Sequence, residues 1–197
     1  MRPLLFVFPH AIVFWAAWLW SFIPEFRIVN TAREEAKKEG SKDAGSIRVI
    51  FAVQPITLLL AFAATWLPAM QFPPGSRIIA FYLGVATLVA GALLRRACWR
   101  ALGEYFTGDV KARADQPVIQ TGPYKWVRHP SYTGAMLMFV GIGVALTNWL
   151  SVALLLTGAI VSYGYRVKVE ERALLSEIGE PYAEYMRTHK RYIPFVV

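Results

Sequence analysis

Residues 133–165 read TGAMLMFVGIGVALT-N-WLSVALLLTGAIVSYGY, two apolar runs with Asn148 alone between them. At 1.5 Å per residue, runs of about 15 and 17 residues reach roughly 22 to 26 Å, short for independent spans of a bilayer core. With so little chain between them they predict a tight helical hairpin. The segment entering this hairpin, Thr121-Gly-Pro-Tyr-Lys-Trp-Val-Arg-His-Pro-Ser-Tyr-Thr-Gly134, packs titratable, aromatic and turn residues at its mouth. The helix leaving it carries Arg166 and Glu170, opposite charges four residues apart and so on one face.

Working outward, three further apolar runs lie at Leu4–Ile23, Ile47–Leu67 and Ile78–Leu94. Hydrophobic residues make up 56% of the chain and charged residues 17%, with a mean hydropathy of +0.40, too apolar for an ordinary water-soluble domain. The expected fold class is an all-α polytopic membrane protein of about five transmembrane helices, the last two a tight hairpin, with short helices in a cytoplasmic loop and at the C-terminal end. It reads as one integral membrane domain over 1–197, with three spans in 1–94 and the catalytic part in 95–197. The first run ends in Ser21-Phe-Ile-Pro-Glu25 without a small-x-small cleavage site, and is expected to be a retained span rather than a signal peptide.

The net charge of +8 invites a nucleic-acid reading, but the position of the cations gives another. Arg27, Arg33, Lys37, Lys38, Lys42 and Arg48 fall in the first loop. Arg95, Arg96, Arg100, Lys111, Arg113, Lys125 and Arg128 fall in the third, and Arg166, Lys168, Arg172, Arg187, Lys190 and Arg191 in the tail. Only Arg2 and Arg77 remain of the 21 basic residues. With five spans, the cation bias puts the N-terminus outside and both odd loops and the C-terminus in the cytoplasm, the basic face meeting membrane lipids and not nucleic acid. Cys98, the one cysteine, has no disulfide partner and no metal-ligand neighbours, so zinc and redox chemistry are not expected and a small buried role is.

Between the runs, Pro24 to Ser46 alternates acids and bases and predicts a solvated interfacial helix broken by Gly40 and Gly45. Pro68, Pro73, Pro74 and Gly75 predict a tight extracytoplasmic turn. The long third loop predicts a helix through Leu102 and extended chain around Pro117-Val-Ile119. Pro130 opens the fourth helix at the position where its missing N–H costs nothing, and that helix start favours an anion. The fifth helix is expected to run past the membrane surface to a cap at Gly179, and a last short helix to start near Pro181.

Histidine is the side chain whose ordinary titration falls near neutrality, and His129 stands at the helix start among Arg128, Tyr124 and Tyr132, the company of a binding or catalytic site rather than a lone cap. His10 and His189 lack it and read as structural or solvent-exposed. Arg166 and Glu170 read either as a surface ion pair or as a site in which Glu170 binds an ammonium and Arg166 a carboxylate. Glu171, about 100° round the helix, reads as solvated or structural. Gly141-Ile-Gly143 starts like a dinucleotide loop but lies within an apolar helix, where small-residue packing is expected.

At these residues the chain resembles the isoprenylcysteine carboxyl methyltransferase family, part of a wider group that includes phospholipid N-methyltransferases. The resemblance runs from Val118 to Pro194, over the Thr-Gly-Pro-Tyr to Arg-His-Pro-Ser-Tyr-Thr-Gly motif, Arg166 with Glu170-Glu171 and Leu174, and Gly179-Glu-Pro-Tyr-Ala-Glu-Tyr185. It implies a cofactor site for S-adenosylmethionine, with S-adenosylhomocysteine as product, in which Tyr124, His129, Pro130, Ser131, Tyr132 and Glu170 contact the cofactor and Glu170 takes its ammonium. Gln116, Pro117, Val118 and Ile119 would supply backbone contacts to the nucleoside. Arg166 would orient the carboxylate of the methyl acceptor, so that Arg166 and Glu170 form the catalytic pair. The implied activity is methylation of the carboxylate of a prenylated cysteine or similar lipophilic acid at the cytoplasmic membrane face. Phospholipid or thiol methylation, nicotinamide-dependent reduction by the related membrane reductases, and a non-enzymatic membrane partner acting through the Arg95-Arg96-Arg100 cluster stand as alternatives.

Overall fold

The computed structural model describes residues 2–35, 43, 45–106 and 116–193. Expectations at Gly40, at Lys37, Lys38 and Lys42, at Lys111 and Arg113, and at Pro194 fall outside the described residues. Every apolar run becomes a helix: α1 (His10–Glu35), α2 (Ser46–Ala64), α3 (Arg77–Leu102), α4 (Pro130–Ala145) and α5 (Trp149–Ile178), followed by the short α6 (Glu180–Thr188). Among the described residues no strand forms beyond isolated bridges.

Three segments, Ser46–Ala64, Pro74–Tyr105 and Trp149–Ile178, are long and apolar enough to cross a membrane, and α4 is a shorter apolar helix. Their outward faces carry Leu59, Ile79, Ile56 and Ile160, each more than half exposed. Apolar surface of this extent matches lipid rather than water. Two boundaries differ from expectation. α1 does not stop at Pro24 but runs through it to Glu35, starting at His10 after a single 3₁₀ turn at Leu4–Phe6. The hairpin turn takes Leu146, Thr147 and Asn148 rather than Asn148 alone, because α4 ends at Ala145 and Thr147 adopts a left-handed φ of 51°.

That turn is fastened from both sides. Asn148 caps α5 by accepting from Ser151 N at 3.1 Å and donates to Ala64 O at 2.9 Å, while Phe72 N donates to Thr147 O at 2.9 Å. Against α3, the hairpin packs through glycines. A Cβ on Gly141 would lie 2.4 Å from Leu88 N, one on Gly91 2.5 Å from Gly134 O, and one on Gly84 2.2 Å from Ala145 N. The small-residue packing expected of Gly141 is therefore what the structure uses, and it brings α3 and α4 to backbone contact. Around this seam Phe81, Leu88, Met138, Ile142 and Leu155 form a fully buried core.

α5 and α2 run antiparallel. Ser151 Oγ donates to Ala61 O at 2.7 Å near one end of the pair, and Gly158 sits against Thr57 further along it. α5 runs 30 residues in all and ends at the left-handed Gly179, where the sequence predicts its cap. This uninterrupted helix holds Tyr163, Arg166, Glu170, Leu174 and Ile178 on one stripe at three- and four-residue spacing.

Candidate active site

Beneath the mouth of the hairpin lies one cavity, and every predicted site residue except Pro130 lines it: Gln116, Pro117, Val118, Ile119, Tyr124, His129, Ser131, Tyr132, Arg166 and Glu170. Pro130 is buried at the first position of α4, where it shapes the helix start without facing the cavity. Tyr124 arrives on a short 3₁₀ turn, Gly122–Lys125, whose Gly122 has φ 57° and approaches the Cβ of Ala101. Residues 116–120 are without regular structure, as the sequence predicts around Pro117.

Tyr132 stands between the two charges of α5. Its hydroxyl donates to Glu170 Oε2 at 2.6 Å and accepts from Arg166 Nε at 3.3 Å. Arg166 is buried, and its Nη1 donates to the carboxylate of Asp43 and to Ser46 Oγ at 2.9 Å. The surface ion pair considered for Arg166 and Glu170 is thus replaced by a buried chain in which Tyr132 bridges them and Asp43 supplies a carboxylate to the arginine.

Glu171 is the structural acid of the region. Only 4% exposed, it accepts from Arg128 Nη2 at 2.8 Å and from Arg191 Nη2 at 2.7 Å, and meets His129 Nε2 at 3.2 Å. Arg128 also donates to the carbonyls of Met186 and His189, at 2.8 and 2.6 Å. The backbone completes this tie: Arg128 N donates to Lys190 O at 2.8 Å and His129 N to Arg191 O at 2.9 Å. The loop before α4, the C-terminal half of α5 and the C-terminal segment are thereby locked together, and His129 is held by this lock while one side of it borders the cavity.

The site also contains residues the sequence reading did not assign. Arg95 of α3, grouped there with Arg96 and Arg100 as a basic surface, is only 8% exposed and lines the cavity. Its Nε and Nη2 donate to Glu25 of α1 at 2.5 and 2.6 Å, and its Nη1 to Ser131 O and Oγ at 3.1 and 3.0 Å. Arg96 turns away onto Trp20, 3.4 Å from the ring centroid. Ile47, Ile50 and Phe51 of α2 add an apolar wall, and Tyr182 and Tyr185 of α6 close the far side. The i, i+3, i+4 stripe of α2 was visible in the sequence, but nothing there said which helix it would face.

Burial pushes the phenols of Tyr124 and Tyr182 well above the ordinary tyrosine range, and that of Tyr185 up to about 12. At neutral pH they are hydrogen-bond donors rather than bases. Tyr185 uses its proton on the carbonyls of Tyr124 and Val127, at 2.5 and 3.2 Å.

This constellation of an α5 stripe, a Val-Arg-His-Pro-Ser-Tyr helix entry and a long preceding loop coincides with a known family. Over 83–176 the chain matches the family model described as isoprenylcysteine carboxyl methyltransferase (ICMT) family. This segment is what the chain shares with the ICMT family. It contains all of the predicted site residues, whereas Glu25, Asp43, Tyr182 and Tyr185 lie outside it. The protein-S-isoprenylcysteine O-methyltransferase of Saccharomyces cerevisiae is 30% identical over 116 residues, 58% of this chain and 48% of that protein. The enzyme of the same name from Dictyostelium discoideum is 27% identical over 141 residues, 71% of this chain and 60% of that protein. The chain thus spans about half the length of the curated ICMT relatives it matches. The solved structure of a eukaryotic intramembrane Ras methyltransferase ICMT shares the fold, with a TM-score of 0.54 at 20% identity, covering 94% of this chain and 85% of that one.

Proposed function

We infer that the cavity is the site of an S-adenosylmethionine-dependent methyltransferase that esterifies the carboxylate of a prenylated cysteine or a similar lipophilic acid. The observation that carries the reading is the pairing, in one cavity, of a carboxylate and a guanidinium with phenols held protonated. The phenols of Tyr124, Tyr182 and Tyr185 keep their protons near neutrality and donate rather than act as bases. An amine or thiol acceptor needs a proton removed; a carboxylate does not. The names of the ICMT relatives point the same way.

The donor set fits the cofactor. Glu170 has Oε2 engaged by Tyr132 and retains acceptor capacity for an ammonium, and Gln116, Pro117, Val118 and Ile119 offer unpleated backbone along one wall for a nucleoside. When bound, S-adenosylmethionine supplies an electrophilic methyl group on a sulfonium. Tyr132 fixes Glu170 and Arg166 relative to one another. Arg166 orients the acceptor's carboxylate, and the Ile47, Ile50 and Phe51 wall keeps water from the nucleophile. Removing a charge-separated pair of reactants from water and aligning them in line is the main work such a reaction asks of a protein.

The cation distribution supports a topology with the N-terminus outside and the site and C-terminus at the cytoplasmic face, the chain acting as one membrane domain. Calorimetric binding of S-adenosylhomocysteine to the detergent-solubilised protein tests the reading, with a nicotinamide cofactor as control. Saturable binding, weakened in Glu170→Gln by roughly 1.5 to 3 kcal/mol, the scale of a lost hydrogen bond to a charged group, is the expected result. No binding by folded wild-type protein overturns it.

A further inference from the structure

Two buried arginines line the cavity, and each is met by a carboxylate from the N-terminal part of the chain, outside the segment that matches the family: Arg95 by Glu25 and Arg166 by Asp43. The second pair is the more consequential. Asp43 and Arg166 are both about 5% exposed, so no solvent competes for either charge. A carboxylate already sits on the guanidinium that the proposed reaction assigns to the acceptor's carboxylate.

Asp43 is built to survive losing that contact. Its Oδ1 accepts from Ser46 Oγ at 2.8 Å and its Oδ2 from Ile47 N at 2.9 Å, so it stays bonded to the first turn of α2 whether or not Arg166 is present. The helix N-terminus itself favours the negative charge. Arg166, for its part, keeps the hydroxyls of Tyr132 and Ser46 at 3.3 and 2.9 Å. Exchange of one carboxylate for another at Arg166 therefore strands neither partner, whereas approach of a neutral group cannot replace the ion pair.

We propose that Asp43 is a resident carboxylate that occupies Arg166 in the resting site and gives way to the acceptor's carboxylate, setting which anions the site admits. This rests on Arg166 being the acceptor-binding residue of the proposed methyltransferase. A small soluble carboxylate brings only its charge and gains nothing over Asp43. A lipophilic acid adds the burial of its tail against the Ile47, Ile50 and Phe51 wall and displaces Asp43. After esterification the product has no charge to hold Arg166, and Asp43 takes the arginine back.

The test is calorimetric binding of an N-acylated S-prenylcysteine, as free acid and as carboxamide, to wild-type protein and to Asp43→Asn. Asparagine still offers an oxygen to the first turn of α2 but carries no charge. The free acid is expected to bind the variant roughly tenfold more tightly, the scale of one charge-assisted contact no longer displaced, while the carboxamide binds both proteins equally. Acetate and free cysteine, without effect on the wild type, are expected to compete in the variant. Unchanged or weaker binding of the acid by Asp43→Asn overturns the proposal and leaves Asp43 as an anchor that positions Arg166; so does absence of acid binding by both folded proteins. Should the variant melt early, Asp43→Ala, which removes the charge without adding a polar group, replaces it. S-adenosylhomocysteine binding, measured alongside, separates the two readings: its absence in the wild type refutes the methyltransferase, while the acid and carboxamide results decide the exchange at Arg166.

Discussion

Replacing Glu171 by glutamine probes the lock behind the site rather than the site itself. The substitution keeps the shape and one carbonyl acceptor but removes the charge shared by Arg128, Arg191 and His129. Breaking a buried pair by removing one partner costs about 3 to 5 kcal/mol, because the remaining charge is left uncompensated. Arg128 is 8% exposed at its side chain and bears that cost. The side chain of Arg191 is 42% exposed, so water takes up most of its loss and it adds little. The carbonyl of the new glutamine still accepts one bond from Arg128, which brings the expected loss to about 3 kcal/mol. For a chain of this size that is a fall in melting temperature of roughly 6 to 12 °C.

Cys98 supplies the assay. It is the one cysteine of the chain, is fully buried on α3, and becomes reactive only when the packing around it opens. Heating the solubilised protein with a thiol-activated fluorophore gives the melting curve directly. Glu171 does not line the cavity, so S-adenosylhomocysteine affinity measured well below the melt is expected to fall less than in Glu170→Gln, whose own melting curve moves little. Adjacent acids on one helix are thus expected to give opposite phenotypes, stability lost at 171 and binding lost at 170. A melting temperature for Glu171→Gln within about 2 °C of the wild type would refute the lock as an energetic element.

Two further outcomes follow from the geometry. Gly141→Val places a side chain where even a Cβ lies 2.4 Å from the backbone of Leu88; separating α3 from α4 is expected to cost at least about 3 kcal/mol, read as early Cys98 labelling, and an unshifted curve would disprove the backbone contact. Tyr185→Phe tests a pH dependence. The unfolded phenol loses its proton near 10 and the folded one only at about 12, so the unfolded chain is favoured as pH rises through that window and the folded state loses stability there. The variant is expected to be less stable at neutral pH by about 1 kcal/mol, for the hydrogen bonds to Tyr124 and Val127, yet to decline less steeply between pH 10 and 12; parallel declines in the two proteins would count against the buried phenol.

What the sequence made legible was local. The hairpin followed from two apolar runs too close together to be anything else, Gly179 from its place after the last periodic residue, and the Gly141 packing from its apolar setting. Arg166 and Glu170 could be put on one face by counting, and the whole 116–132 group could be placed at the helix entry. The partners across the helices were not legible, because periodicity fixes which residues share a face and not what that face meets. Pro24 looked like an end of the first run, yet α1 continues through it, and only that continuation carries Glu25 to Arg95.

The same limit explains why Arg95 reads only as a cation of the third loop and Asp43 is not singled out from the charged stretch 24–46. A cation at the end of an apolar run is equally consistent with a membrane-surface anchor and with a buried ion pair, and the choice depends on whether an acid from a distant segment reaches it. Here two acids do, Glu25 from 70 residues away and Asp43 from 123. Both lie outside the segment that the family model matches, while both arginines lie within it. The matched segment therefore brings the cationic site, and the N-terminal helices supply the counter-charges that make such a site tolerable in an apolar surround. A relative with the same α3 to α5 but a different N-terminal region would carry the same arginines under different neutralisation, and under the proposed role of Arg166 its acceptor affinity would change with no change at Arg95 or Arg166.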